Sequence, residues 1–407
     1  MAIIPVGSYQ PLTIHVGRPT AGASLDITSK VDRDSIRIEE TGNHEAAHAD
    51  FRIIDLTLAH AAMRGRWNVH IAYDGATLFR GIIGSVRPEI AAIYGDINVS
   101  AKDIGSLLDD QIIKVYGANG GILGRPAGES DKARISWLFQ VAGPRPPYSI
   151  DVTAKVQTLN PDMPKQNFPP NLTLRQALER ILGGASDSSN YYVSQGGPRL
   201  HTFDDDNIET GTDAPYDIVV DRTLSASEIG PIDLEVEWDM SNYFNGYFVR
   251  AKTRPYSKFY TDEYPFTDPS GDPTPMNPPY ATGLYGDRYT YLDAPDADTR
   301  IKVERVVRAA LRDTRNPTVR GSFSVEGPRC WNGADRFTSG QYLYVESAVH
   351  GLAGRGADAG PWAGPDARPL QPFRIVRNTI TVMDGGANLR MEIEFGGRRP
   401  HLWQGGA

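Results

Sequence analysis

Between Leu25 and Tyr94 apolar and polar residues alternate with a period of two, the pattern of strands with one face buried. Ser35-Ile36-Arg37-Ile38-Glu39 is one such run and Phe51-Arg52-Ile53-Ile54-Asp55 another, and Trp67 to Tyr73, Leu78 to Val86 and Asp96 to Ala101 continue the series. Asp74-Gly75 supplies a hairpin signal, because a tight two-residue turn needs positive φ at both positions. Short antiparallel strands at this spacing predict a small barrel or sandwich.

After Gly117 the period changes. A Gly-rich stretch through Gly128 leads to Ser130-Asp131, an N-cap signal, and Ile135, Leu138 and Phe139 then fall at helical spacing before Gly143-Pro144. A second helix opens with a Thr173-x-x-Gln176 capping box, carries the stripe Leu174, Ala177, Leu178, Ile181 and Leu182, and is expected to end at Gly183-Gly184. Tyr191-Tyr192-Val193 and Leu200-His201-Thr202-Phe203 read as a hairpin around Gly196-Gly197.

Strand character returns in Leu234 to Trp238 and Tyr247 to Ala251, interrupted by a Pro- and Tyr-rich excursion from Thr253 to Gly283. Val303, Val306, Val307, Ala310 and Leu311 share a face of a third predicted helix, stopped by Asn316-Pro317. Thr318 to Val325, Gln341 to Ser347, Phe373 to Met383 and Leu389 to Phe395 close the series as strands, with a Gly-, Ala-, Pro- and Asp-rich loop from Gly351 to Pro369 among them. The 41 glycines and 30 prolines suit a chain of many short strands and turns.

Charge and cysteine content narrow the function. At 407 residues the chain has room for about two to four domains. Lys and Arg total 42 against 50 for Asp and Glu, so no global basic field exists to hold nucleic acid stably by counterion release. Cys330 is the lone cysteine, which excludes an intrachain disulfide and fits folding in a reducing cytoplasm. Met1 to Gln10 lacks the basic and apolar regions of a signal peptide, and no apolar run approaches the length of a spanning helix.

The sharpest chemical motif is His44-Glu45-Ala46-Ala47-His48. In zinc peptidases two histidines four apart on a helix bind the metal, and the glutamate between them activates water. Here the motif lies between two strand-like runs, behind Thr41-Gly42-Asn43, and reads as a hairpin loop. Asp204-Asp205-Asp206-Asn207 lacks the glycine and distal glutamate of a calcium loop and reads as a polar turn. Cys330 beside Trp331 has no neighbouring base, and no carboxylate pair stands out for glycoside cleavage. No catalytic, cofactor-binding or metal residue is therefore assigned. Tyr256, Phe259, Tyr260, Tyr264 and Phe266 in the excursion are either a contact surface or packing within their own subunit.

The order of these elements resembles a known family. Asp26-Ile27-Thr28, Ser35 to Glu40, Phe51 to Asp55 and Leu78-Phe79-Arg80-Gly81-Ile82 resemble the first barrel of baseplate-hub proteins of long-tailed bacteriophages, and Ser100 to Asp109 is similar to the segment leaving it. Asn171 to Leu178 with Tyr191-Tyr192-Val193 and Leu200 to Phe203 looks like the middle domain, and Tyr285 to Arg288 and Phe395 to Pro400 look like later elements. The resemblance implies a mainly β (α+β) fold with two small antiparallel β-barrels and an α/β middle region. Its expected division is a first barrel over 1–116, a middle domain over 117–231, a second barrel from 232–253 and 318–400, an insertion over 254–317 and a tail over 401–407.

The function the resemblance implies is structural: a homotrimeric ring at the tail tip of a virion assembled in the host cytoplasm. Its implied partners are a distal tail protein or tail-tube ring, a tape measure protein, and tip or fibre proteins. A hexameric distal tail protein and, from the histidine motif, a zinc metallopeptidase are the alternatives.

Overall fold

The computed structural model describes residues 11–17, 24–42, 46–54, 67–89, 96–113, 123–144, 148–169, 171–185, 189–194, 198–204, 216–220, 223–224, 228–244, 246–251, 259–261, 289–294, 310, 318–327, 331–332, 335–352 and 372–398. The third predicted helix apart from Ala310, most of the excursion, and the Gly351 to Pro369 loop beyond Leu352 lie outside them. The chain divides into two compact units, the first formed by Met1–Asp213, Ser324–Gln341 and Ile375–Ile393, the second by Ala214–Phe323, Tyr342–Arg374 and Glu394–Ala407.

The first unit opens with seven strands, β1 (Leu12–Gly17), β2 (Ser24–Asp26), β3 (Val31–Thr41), β4 (His48–Ile53), β5 (Asn68–Tyr73), β6 (Ala76–Glu89) and β7 (Asp96–Asp103). They pair in the order β3-β4-β7-β6-β5-β1-β2, all antiparallel. The inward set is the one the alternation predicts: Ile36, Ile38, Phe51, Val69, Ile71, Phe79, Ile97 and Val99 are all buried, and Leu12, Ile14 and Val16 of β1, a strand outside the predicted runs, join them. Asp74 and Gly75 make the β5–β6 turn with φ of 48° and 78°, the left-handed conformation such a turn demands.

Among the described residues no strand pairing closes this sheet into a barrel. Ile27 donates its N–H to the Ile14 carbonyl at 2.9 Å, continuing the β1–β2 pairing, while Arg33 reaches the Gly385 carbonyl at 3.1 Å and the Tyr73 hydroxyl donates to the Ala387 carbonyl at 2.7 Å. Further strands follow in chain order: β8 (Leu123–Arg125), β9 (Gln166–Phe168), β10 (Ser189–Val193), β11 (Leu200–Asp204), β12 (Tyr216–Val219), β13 (Glu228–Ile229), β14 (Ile232–Asp239), β15 (Gly246–Ala251), β16 (Phe259–Thr261), β17 (Tyr289–Ala294), β18 (Thr318–Glu326), β19 (Trp331–Asn332), β20 (Asp335–Arg336), β21 (Tyr342–Glu346), β22 (Phe373–Met383) and β23 (Asn388–Arg398). Within the first unit β22 pairs antiparallel with β3, joining Thr381 to Arg37 and Arg377 to Thr41.

The first unit also holds α1 (Leu107–Asp110), α2 (Asp131–Ala142) and α3 (Leu174–Ala185). The capping box at α3 forms in both directions: Gln176 N–H donates to Thr173 Oγ1 at 3.2 Å and Thr173 N–H to Gln176 Oε1 at 3.0 Å. Its predicted stripe is wholly buried. Gly183 and Gly184 lie in the last turn, one residue short of the observed end at Ala185. Helix α2 departs further from expectation. Phe139 is only partly buried, whereas Asp131 and Arg134 are enclosed, because the backbone around them supplies hydrogen-bond partners. The Asp131 carboxylate accepts from the N–H groups of Leu159 and Asn160, and Arg134 donates to the carbonyls of Pro126, Met163 and Pro164.

In the second unit the pairing is mixed, where antiparallel strands were expected. β12 runs parallel to β13 and β21, and β15 runs parallel to β17 and antiparallel to β16. Parallel neighbours cannot be joined by a hairpin, so the excursion between β15 and β17 is the crossover that this pairing requires. Phe395 packs against Phe323 and Phe373 with centroids at 6.0 and 5.1 Å, and Trp238 Nε1 donates to the His350 carbonyl at 3.1 Å.

Candidate functional site

The end of β7 hands the chain from the sheet to the helices of the first unit. Asp103 is buried, its N–H donates to the Ala47 carbonyl at 2.9 Å, and its carboxylate accepts from the Ser106 N–H at 3.1 Å, capping the single turn that leads into α1. That turn sets Asp109 toward α3. Arg175 of α3 grips Asp109 with both Nε and Nη2, at 2.5 and 2.9 Å, and reaches the Tyr191 hydroxyl of β10 at 3.2 Å. Three segments of the first unit are thereby tied at one guanidinium.

Electrostatics follow from that enclosure. Burial works against the Arg175 charge, but Asp109 and Tyr191 outweigh it and raise its pKa. Burial pushes the Tyr191 phenol up to about 12, against the opposing pull of Arg175. Neither group exchanges a proton near neutral pH.

Beside this clamp lies a second knot. Glu40 of β3 is buried and its carboxylate accepts from the Ser339 N–H at 3.3 Å. Gly340 adopts φ of 90° against the ring of Tyr192, where an added Cβ would meet Tyr192 Cβ at 2.9 Å. Asn378 of β22 donates to the Phe337 carbonyl at 2.7 Å. Between the knots is a cleft of about 40 Å³ lined by Glu40, Asp103, Arg175, Tyr191 and Ser339 among others. It accommodates a few waters at most, far below the roughly 300 Å³ of a small-molecule site.

A larger concavity of about 480 Å³ lies on the outward face of β3, β4, β6 and β7, lined by polar groups including Asp50, Arg52, Arg87 and Asn98. It sits where the β3–β4 register shifts between Asp32 and Arg37 and the β6–β7 register shifts between Ile83 and Ser85. Such bulges bend a sheet locally, which is the physical origin of the hollow.

The histidine motif does not assemble at its second ligand. His48 is the first residue of β4, exposed, and directly opposite Glu39 and Lys102 on the flanking strands. A strand cannot place it on a helical face one turn from His44. His44 and Glu45 lie outside the described residues, as do Asp205 to Asn207, Cys330, Tyr256, Tyr264 and Phe266. Asp204 ends β11 opposite Ser189. Among the described residues no group of three or more His, Cys, Asp or Glu is placed to hold a metal ion. The Arg175–Asp109 clamp had no signature in the sequence: the segments Ser100 to Asp109 and Asn171 to Leu178 were each singled out, but 66 positions separate the partners and nothing in either segment pairs them.

A mostly β chain with one large antiparallel sheet and an inserted helical module is the class this fold defines, and it is the fold of phage tail proteins. The tail protein from Neisseria meningitidis MC58 matches at a TM-score of 0.55 with 15% identity, covering 95% of this chain and 96% of that one. The 43 kDa tail protein of prophage MuSo2 from Shewanella oneidensis matches at 0.57 with 12% identity, covering 94% and 97%. Prophage tail protein gp18 from Listeria monocytogenes EGD-e matches at 0.50 with 10% identity, covering 95% of each. No protein-family model matches the sequence, and no curated protein is significantly similar to it.

Proposed function

We propose that this chain is a structural subunit of a phage-type tail, and that it forms the trimeric hub ring at the tail tip. The observation that carries the reading is the extent of the fold likeness: it runs over 94% or more of this chain and of each of three tail proteins. A likeness of that reach includes the helical module and the late strands as well as one sheet, so the chain matches a whole tail subunit.

In this reading three copies meet the hexameric tail tube or distal tail ring on one side and three-fold tip or fibre proteins on the other, with the tape measure protein ending at the ring. The net charge of -8 suits a ring past which nucleic acid travels without binding. A reconstruction of the assembled tail tests the proposal by subunit count. Three copies at the tip support the hub, and six copies in a ring above it assign the chain as a distal tail protein. Peptidase activity is tested separately: Glu45→Gln is expected to leave assembly and infectivity unchanged, and proteolysis abolished by that substitution together with stoichiometric zinc would reverse the structural assignment.

A further inference from the structure

Four charged or titratable side chains stand in one row across the edge of the first sheet. Asp26 of β2 is directly opposite His15 of β1, His15 is opposite His70 of β5, and His70 is opposite Arg80 of β6. Residues directly opposite in antiparallel pairs project from the same face, so this row is continuous over four strands. We propose that it is an acid-sensitive seam, in which proton uptake by His70 sets an imidazolium ion between His15 of β1 and the fixed Arg80 cation of β6 and loosens β5 from its neighbours. The proposal concerns the chain itself and does not rest on a tail function.

The neighbours make the row lopsided. His70 Nε2 lies 2.9 Å from the Thr77 hydroxyl, a neutral partner, and no carboxylate stands opposite it. Asp26 lies at the far end, already accepting from the N–H and hydroxyl of Thr28 at 2.9 and 2.6 Å, with Arg33 as a further cation nearby. Burial first, then Arg80 and His15, hold His70 below the ordinary histidine range, so its proton arrives against resistance from the fold. Histidine is the side chain whose charge changes between pH 5 and 8, and like charges directly opposite on neighbouring strands push them apart.

Amide hydrogen exchange on the full chain, corrected for intrinsic rates, tests this at pH 7.5 and pH 5.0. Protection of β1 and β5 is expected to fall at least about tenfold at the lower pH, while β4 and β7 keep theirs. His70→Gln, which retains a hydrogen bond to Thr77, is expected to remove most of that change, and Arg80→Gln to reduce it. Equal protection of β1 and β5 at both pH values, or an undiminished loss in His70→Gln, overturns the proposal. Should His70→Gln fail to fold, Arg80→Gln and His15→Gln carry the same comparison.

Discussion

Arg134 and Arg175 both carry charge inside the first unit, and they differ in how far water reaches their partners. Arg134 is 0% exposed, with three carbonyls as acceptors and Glu129 at 3.6 Å from its Nε. Arg134→Met would strand those acceptors, at a cost of about 3 to 5 kcal/mol. The Arg175 partner Asp109 keeps 50% of its side-chain surface exposed, so water replaces much of what is lost. Arg175→Met is therefore expected to cost about 1 to 2 kcal/mol. Urea denaturation of both variants checks the order, and a larger loss for Arg175→Met would contradict it. His201 stacks on Tyr192 with centroids 4.4 Å apart, and burial, then Lys155 and Arg199, lower its pKa from 6.5 to about 4. The folded chain keeps this imidazole neutral while the unfolded chain takes a proton below pH 6.5, so stability falls as pH drops from 6.5 toward 4. The loss by pH 4 is on the order of 2 to 3 kcal/mol, and His201→Phe is expected to flatten the stability curve in that window.

Among the elements, α3 shows what a local signal can specify. Thr173 and Gln176 bond each other's backbone, so Thr173→Ala is expected to remove about 1 kcal/mol of stability, measurable as a shift in the denaturation midpoint with unchanged slope. The strands of the first sheet were legible for a similar reason: Ile36 and Ile38, or Val69 and Ile71, state by alternation which face is buried. Pairing was less legible. Nothing in the tetrad Tyr342 to Val345, all buried, tells whether its neighbour runs parallel, and β12 does. Helix α2 misled because its most buried large side chain is an arginine, and its acceptors are backbone carbonyls of residues 126, 163 and 164, which carry no side-chain signature. His48 was expected in a hairpin loop and is instead the first residue of β4, because the strand pattern begins earlier than its first apolar run at Phe51.

At the scale of the molecule, the proposed hub ring would use two β-containing units in each of three chains to present six faces to a tube. Closed cyclic symmetry satisfies every copy equally and protects exposed strand edges. Cross-linking of purified tails is expected to give trimers of this chain, and hexamers would favour the distal ring. The first unit is also interleaved in sequence. β3 takes β22 as its partner, through pairs such as Ile38 with Ile380, and Arg33 and Tyr73 bond the turn at Gly385 and Ala387 that follows. A ribosome adding about 5 to 20 residues per second needs roughly fifteen to sixty seconds to travel from β7 to β23. For most of that interval the nascent sheet offers β3 as an open edge, until β22 has been made. A chain cut short before Phe373 therefore lacks the strand that completes its own first sheet, and is left with β3 as a template for any other strand that meets it.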